Sequence, residues 1–511
     1  MKTLKLTIFG CLMAAATITT ATAQTHQELF LFSQNNLTGN ARFTAMGGAF
    51  GALGANFGVA STNPAGLGFY TRHEASISTA VGIYNSETRY KDNNKSAFDA
   101  SFQLPDAHYV YSTSNAKFQF GVGVNRLNDF NARTTIEGKS NNSFTNDIAL
   151  NANGIPLSSF FNSNGYSTSL EGLAYDGWLV HQDPQQPNTY FSLLESAQVN
   201  QRQVTETSGN LTEFVFTFSG NLNEKLYFGV TLGIPMLDYS EKSTLKETIL
   251  AANDYVLDSF GPVDLTYKHN YDVTATGVNL KLGLVYKPIN AVRIGLAFHT
   301  PTFFSVRQEF KRELWTRMSE LTREKHGDWY DRGDLYGWDG YGNFYDWNEN
   351  DFKYQYLTPA KGILSLGFVI GTYGVIGIEG ELFSYRSIKM LSDYSIAETV
   401  NDNIKSKYRK TSGVLKFGTE WRVSIVSLRA GYNYRSNPYV DKTNNLWSSH
   451  LVTGGIGIRL NKNLSLDLGM MYAFNPETYY PYYLDNPKSS VLPDEINTSK
   501  MLYTLTFNAR F

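Results

Sequence analysis

From residue 74 onward, apolar and polar side chains alternate in short runs. The clearest run closes the chain. Met501, Tyr503, Leu505, Phe507, Ala509 and Phe511 fall on one side, and Thr504, Thr506, Asn508 and Arg510 on the other. A β-strand has a period of two, so such a run has one apolar and one polar face. About fourteen segments of this kind occur, near 74–84, 106–113, 117–127, 211–219, 225–236, 272–286, 291–300, 361–370, 374–386, 411–421, 426–435, 451–460, 464–474 and 501–511. About ten alternating residues suffice for a tilted strand to cross a bilayer. An even strand number is the rule for single-chain bacterial barrels.

The connections carry independent information. Residues 114–116, 221–224, 287–290, 371–373 and 461–463 make tight turns. They alternate with long stretches at 85–105, 128–210, 237–271, 301–360, 387–410, 436–450 and 475–500. Short periplasmic turns alternating with long extracellular loops mark an outer-membrane barrel, whereas a soluble sandwich has no reason to place every long loop at one end. The expected fold is therefore all-β: a 14-stranded antiparallel transmembrane β-barrel over 74–511.

The front end sets the compartment. Lys2 and Lys5, the apolar run Leu6–Ala16 and the small residues Ala21-Thr22-Ala23 read as a signal peptide over 1–23. Cys11 is the only cysteine and lies within it, so no disulfide framework or cysteine metal site is expected afterwards. No later apolar run is long enough for a spanning helix. The net charge of −2 argues against nucleic-acid binding. With 33 Tyr, 33 Phe and 43 Gly, a signal peptide and no spanning helix, the composition leaves a secreted all-β protein or an outer-membrane barrel, and the alternation and loop pattern decide for the barrel. The expected setting is a Gram-negative outer membrane, in contact with lipid and lipopolysaccharide, with the chain as a monomer.

Two long loops differ in character. Residues 128–210 carry Phe160, Phe161, Leu170, Leu173 and Trp178, too much apolar surface for a loop in water. They either pack on one another as a cap over the barrel mouth or contact an apolar ligand. Residues 301–360 mix Trp315, Trp329, Trp338 and Trp347 with Asp328, Asp331, Asp334 and Asp339. That mixture suits a self-packed loop, a sugar or a cation, but its spacing fits no EF-hand, and no metal or cofactor is assigned. Charges also fall on inward positions, among them Lys281, Arg293, Glu379, Glu381, Lys416, Glu420, Arg429 and Asp467. Ion pairing across the lumen is the favoured reading. The alternative lets Arg293 or Arg429 meet a carboxylate on an apolar ligand. A catalytic role is not expected, because a phospholipase-type barrel needs a serine nucleophile beside a histidine base, and His299 has no nearby serine in sequence.

One stretch before the strands is unusual. Met46-Gly47-Gly48-Ala49-Phe50 runs on to Asn63-Pro64-Ala65-Gly66-Leu67, with almost no charge between. So much glycine disfavours regular helix or strand, yet permits close backbone packing against a surrounding wall. With fourteen strands behind it, this stretch resembles the N-terminal hatch of the FadL/TodX family, outer-membrane transporters of long-chain fatty acids and other hydrophobic compounds. The resemblance implies a hatch over 24–73 plugging the lumen, with a hydrophobic small molecule as ligand and no cofactor. It implies capture by the extracellular loops, movement of the hatch, and lateral release at a kinked third strand, here 117–127 with Gly121 and Gly123 available for a bend. The chain departs from the family at 54–58, Gly-Ala-Asn-Phe-Gly, where members commonly carry acids. The rival readings are a surface adhesion or haem-binding barrel with a shut lumen and, last, an outer-membrane enzyme.

Overall fold

The computed structural model describes residues 26–163, 165, 167, 169–177, 179–251, 262–318, 352–392, 396–440, 448–474 and 495–511. The signal peptide over 1–23, Trp178 and the tryptophan–aspartate stretch 328–347 lie outside the described residues.

The wall is one antiparallel sheet closed on itself. Its first half comprises β1 (Glu74–Tyr90), β2 (Asn93–Ser112), β3 (Phe118–Asp129), β7 (Gln198–Leu222), β8 (Leu226–Ala251), β9 (Pro262–Ile289) and β10 (Val292–His299). The second half comprises β13 (Lys361–Ile370), β14 (Gly374–Phe383), β16 (Ser412–Val423), β17 (Val426–Arg435), β18 (Ser449–Arg459), β19 (Leu464–Phe474) and β20 (Glu495–Arg510). Each pairs with the next in that order. β20 then returns to β1, with Phe507 opposite Ile77, so fourteen strands close without a free edge at that level. Every segment expected from alternation is one of these strands.

Alternation arises because one face meets lipid and the other meets the lumen. Ile77, Phe120, Phe216, Leu282, Leu296, Phe417 and Leu468 are exposed on the outside, while Thr217, Thr231, Glu379, Glu420 and Asp467 are buried inside. The tight turns fall as expected, with Ala116, Asn223, Glu224 and Gly371 supplying the positive φ angles that sharp reversals require, and Ser424 does the same at a further turn between β16 and β17.

The long connections differ from expectation. Residues 85–105 are a continuation of the β1–β2 hairpin, closed at Lys91-Asp92. β7, β8 and β9 run for 25, 26 and 28 residues. A bilayer needs only about ten residues of strand, so these strands rise well beyond the membrane. There the outer face meets water, its apolar requirement lapses, and the alternation that betrays a strand fades. Four further strands lengthen the wall at this end: β4 (Ala132–Ser140), β11 (Phe303–Met318), β12 (Phe352–Leu357) and β15 (Lys389–Leu391). A small hairpin of β5 (Val180–Gln182) and β6 (Tyr190–Ser192) belongs to the cap over the β7–β9 extension.

Residues 26–73 lie within the wall. They form helices α1 (His26–Phe32) and α2 (Ala41–Ala45), then two 3₁₀ turns, Phe57–Ser61 and Pro64–Phe69. Asn40, Asn56 and Asn63 cap the last three of these by accepting from Phe43, Gly58 and Ala65 amides. Pro64 sits at the first turn, where its missing N–H costs nothing.

Candidate functional site: the plugged lumen

Met46, Gly47, Gly48, Ala49, Phe50, Asn63, Pro64, Ala65 and Gly66 are all buried inside the barrel. What admits them is a girdle of inward glycines. Gly229 faces Gly283 on the neighbouring strand, Gly367 faces Gly377, and Gly377 faces Gly418. Gly418 in turn faces Gly431, and Gly455 faces Gly469. A Cβ on Gly418 would run into the Met46 carbonyl, on Gly377 into Ala49, on Gly229 into Pro64, and on Gly469 into Ala41. The wall thus gives up its side chains at one level, and backbone of the plug fills the vacated space.

The plug backbone is then fastened by polar side chains of the wall. Glu379 accepts from the Gly51 amide at 2.9 Å, Thr506 from the Ala41 amide at 2.7 Å, and Thr453 donates to Ala45 at 2.9 Å. Arg293 donates to the Leu53 carbonyl and lies over the Phe69 ring at 4.1 Å. Arg42, a plug residue, forks onto Glu420. In the stretch 54–58, Asn56 exchanges hydrogen bonds with Asn40 at 3.0 and 2.8 Å, and Ala55 accepts from Arg42. Side-chain amides and the Arg42 guanidinium therefore do the tethering at that point.

Above the plug the lumen is aromatic. Phe30 and Phe32 of α1 pack among Phe130, Tyr239, Tyr271, Phe304, Tyr356, Tyr385 and Tyr408, all buried. Phe30 stacks on Tyr408 with centroids 4.7 Å apart. Between this vault and the plug lies a cavity of about 70 Å³. Its upper lining is Phe32, Leu211 and Phe304, and its lower lining carries Glu213, Lys281 and His299.

The expected ligand residues are not brought together. Phe160, Leu170 and Leu173 are buried with Phe144, Ile148 and Leu194 against Leu245, Leu265 and Leu314 of the strand extensions, with Phe161 packed on this core. This is a self-packed cap, whose surface is consumed by its own neighbours. Arg429 sits near the opposite end of the barrel, paired with Glu420 at 2.8 Å and Asp467 at 2.7 Å. Arg293 is engaged by the plug. Both follow the ion-pairing and packing reading.

Gly121 and Gly123 do not open the wall. Each is paired on both sides, Gly121 with Val110 and Thr217, and Gly123 with His108 and Val215. Their missing side chains make room for Leu67 and Phe57 of the plug. The wall parts higher up. β2–β3 pairing stops at Asp106–Asn125, and residues 93–103 of β2 pair only with β1. Pro105, which has no N–H to donate, sits at this point, where the β1–β2 register also slips between Ser78 and Ala80. The edge of β3 so released is taken by the irregular plug segment 34–38: the Asn36 amide donates to Leu127 O at 2.8 Å, and Thr38 to Arg126 O. Pro105 was the sequence signal for this seam.

Wall, girdle and plug define a plugged, fourteen-stranded outer-membrane β-barrel. Its fold is that of a FadL homologue from Pseudomonas aeruginosa, whose crystal structure aligns at a TM-score of 0.54 and 13% identity over 94% of this chain and 99% of that one. Also similar are the CymD monoaromatic hydrocarbon channel (TM-score 0.47, 12% identity, 92% and 97% covered) and the Pseudomonas putida toluene transporter TodX (0.44, 13%, 93% and 98%). No protein-family model matches the sequence, and no curated protein does.

Proposed function

We propose that this protein is a FadL/TodX-type channel that carries hydrophobic small molecules, long-chain fatty acids among them, across the outer membrane. The observation that supports this is the pairing of an aromatic vault with an apolar, glycine-packed plug directly beneath it. A water-filled porin needs a polar lumen, whereas this one would hold water poorly and greasy cargo well. The cavity of about 70 Å³ ends on the buried plug, so in this reading passage requires the plug to move. Lateral release into the bilayer would use the seam above Pro105, where plug residues 34–38, together with Lys500 at Asp129, cover the edge of β3. Residues 24–73 act as the hatch in this reading, and no step requires catalysis.

The test is uptake of a labelled long-chain fatty acid and of a monoaromatic hydrocarbon by cells with and without the gene. Faster uptake of either in cells carrying it supports transport. Equal uptake across several apolar substrates, haem included, would leave a surface receptor with a shut lumen as the better reading.

A further inference from the structure

At the tight-turn mouth, below the plug, lies a second cavity of about 210 Å³, and its chemistry is opposite to that of the vault. Five guanidiniums line it: Arg42, Arg422, Arg429, Arg459 and Arg510. The lining carboxylates number three, Glu74, Glu420 and Asp467. Glu420 alone serves three of the arginines: Arg42 at 2.7 Å, Arg422 at 2.8 Å and Arg429 at 2.8 Å. Asp467 takes the other side of Arg429 at 2.7 Å, and Glu74 takes Arg510 at 2.7 Å. Arg459 has no hydrogen bond or ion pair from its guanidinium among the described residues; only its backbone amide is bonded, to Ile425. Positive charge therefore exceeds negative by two in a half-enclosed space whose carboxylates are already saturated with donors.

A surplus of fork-shaped donors facing a cavity is a site for an oxyanion, because guanidinium matches carboxylate and phosphate oxygens in pairs. Arg459 and Arg422 are exposed at the rim of the cavity, where a cluster of like charges concentrates counter-ions in a salt-dependent way. We propose that this mouth binds a small oxyanion, a carboxylate or phosphate group, with Arg459 as its principal unshared ligand and Arg422 beside it. The group could be a free anion or the head of an amphiphile emerging below the plug. The proposal is independent of what the vault carries, since it concerns the other side of the plug.

The purified full chain in detergent is titrated with inorganic phosphate, and separately with octanoate against octanol, by equilibrium dialysis. Saturable phosphate binding, weakened about tenfold or more by Arg459→Ala and unchanged by Lys117→Ala at another turn, is the expected result for loss of one charge-assisted contact. Ser427→Glu, which places a carboxylate inside the cavity lining, should abolish binding while the barrel keeps its heat-modifiable mobility on gels. Phosphate binding assigns the site to free anions as well. Binding of octanoate alone, with octanol inert and the same Arg459 dependence, assigns it to amphiphile heads. Absence of saturable binding by either anion, or binding that Arg459→Ala and Ser427→Glu leave unchanged, overturns the proposal.

Discussion

The side-chain amide of Asn63 donates to the carbonyl of Gly51 at 2.7 Å, joining two parts of the plug that are twelve residues apart in sequence. The same nitrogen reaches Leu284 O on β9 at 3.2 Å, while its oxygen accepts from the Ala65 amide at 3.2 Å. Asn63 thus joins plug to plug and plug to wall while fully buried. In Asn63→Ala, the Gly51 carbonyl and the Ala65 amide lose this partner, at about 1–3 kcal/mol for an orphaned buried group, while Leu284 stays in its sheet ladder. The plug should loosen without loss of the barrel. Faster proteolysis between residues 39 and 73, with unchanged heat modifiability, is the expected outcome. Wild-type protection and wild-type uptake together would remove Asn63 from the hatch mechanism.

The glycine girdle makes a sharper demand. At Gly418 the obstruction to a Cβ is the Met46 carbonyl, which is backbone and cannot swing aside. Gly418→Val should therefore expel the plug rather than unfold the wall, because the outward neighbours Phe417 and Thr419 keep their pairing with Tyr432 and Ala430. Planar-bilayer recordings should show an open pore where the parent is closed, and cells should become sensitive to large antibiotics. A closed variant with normal assembly would show that the plug can yield at this level.

How far this was legible follows from where each constraint acts. In the membrane, lipid forces every second residue to be apolar, so runs such as Leu464–Phe474 announce themselves and all fourteen strands could be found. Beyond the membrane that pressure ends. Residues 85–105 therefore passed for a loop although Tyr84, Ser86, Thr88 and Tyr90 point inward and are buried. The plug was legible through its glycine-rich motif. The matching glycines of the wall were visible one by one as inward residues, but their alignment at one level depends on register, which alternation alone does not supply. For the same reason Arg42, Arg422, Arg429 and Arg459 were scattered in sequence and became a cluster only once strands β16 to β19 were in place. The glycines of β3, which permit a bend, are paired on both sides, and the pairing of β2 with β3 ends instead beside Pro105, which removes a donor.

The two glycines of β3 can now be told apart. A Cβ on Gly121 would meet side-chain tips, Leu67 Cδ2 at 3.0 Å and Phe57 Cε2 at 3.1 Å, which can shift. On Gly123 it would meet the Ala107 carbonyl at 2.6 Å and the Phe57 ring at 2.7 Å, and the carbonyl is fixed by the sheet. Gly121→Ala should be close to neutral. Gly123→Ala should cost about 1–3 kcal/mol, as overpacking usually does. Urea titration of the detergent-folded proteins distinguishes them. Equal stability of the two variants would contradict the packing argument.

Helix α1 should respond to acid. His26 Nδ1 lies 3.1 Å from the Tyr408 hydroxyl, and Lys407 Nζ lies 3.0 Å from Nε2, both from the loop helix α3 (Ile396–Lys407) or just beyond it. Since the ammonium can only donate, Nε2 accepts from it, and the proton of the neutral ring sits on Nδ1. Burial, reinforced by the positive charge of Lys407, lowers the imidazole from 6.5 to about 4. The docked helix prefers the neutral ring, so its stabilisation is complete above about pH 6.5 and is lost as the pH falls towards 4. The full swing corresponds to about 3 kcal/mol. Hydrogen exchange across residues 26–32 should therefore accelerate between pH 7 and pH 5, once corrected for intrinsic rates. His26→Gln, which cannot take up the proton, should flatten that profile, and an unchanged pH response in this variant would place the sensitivity elsewhere.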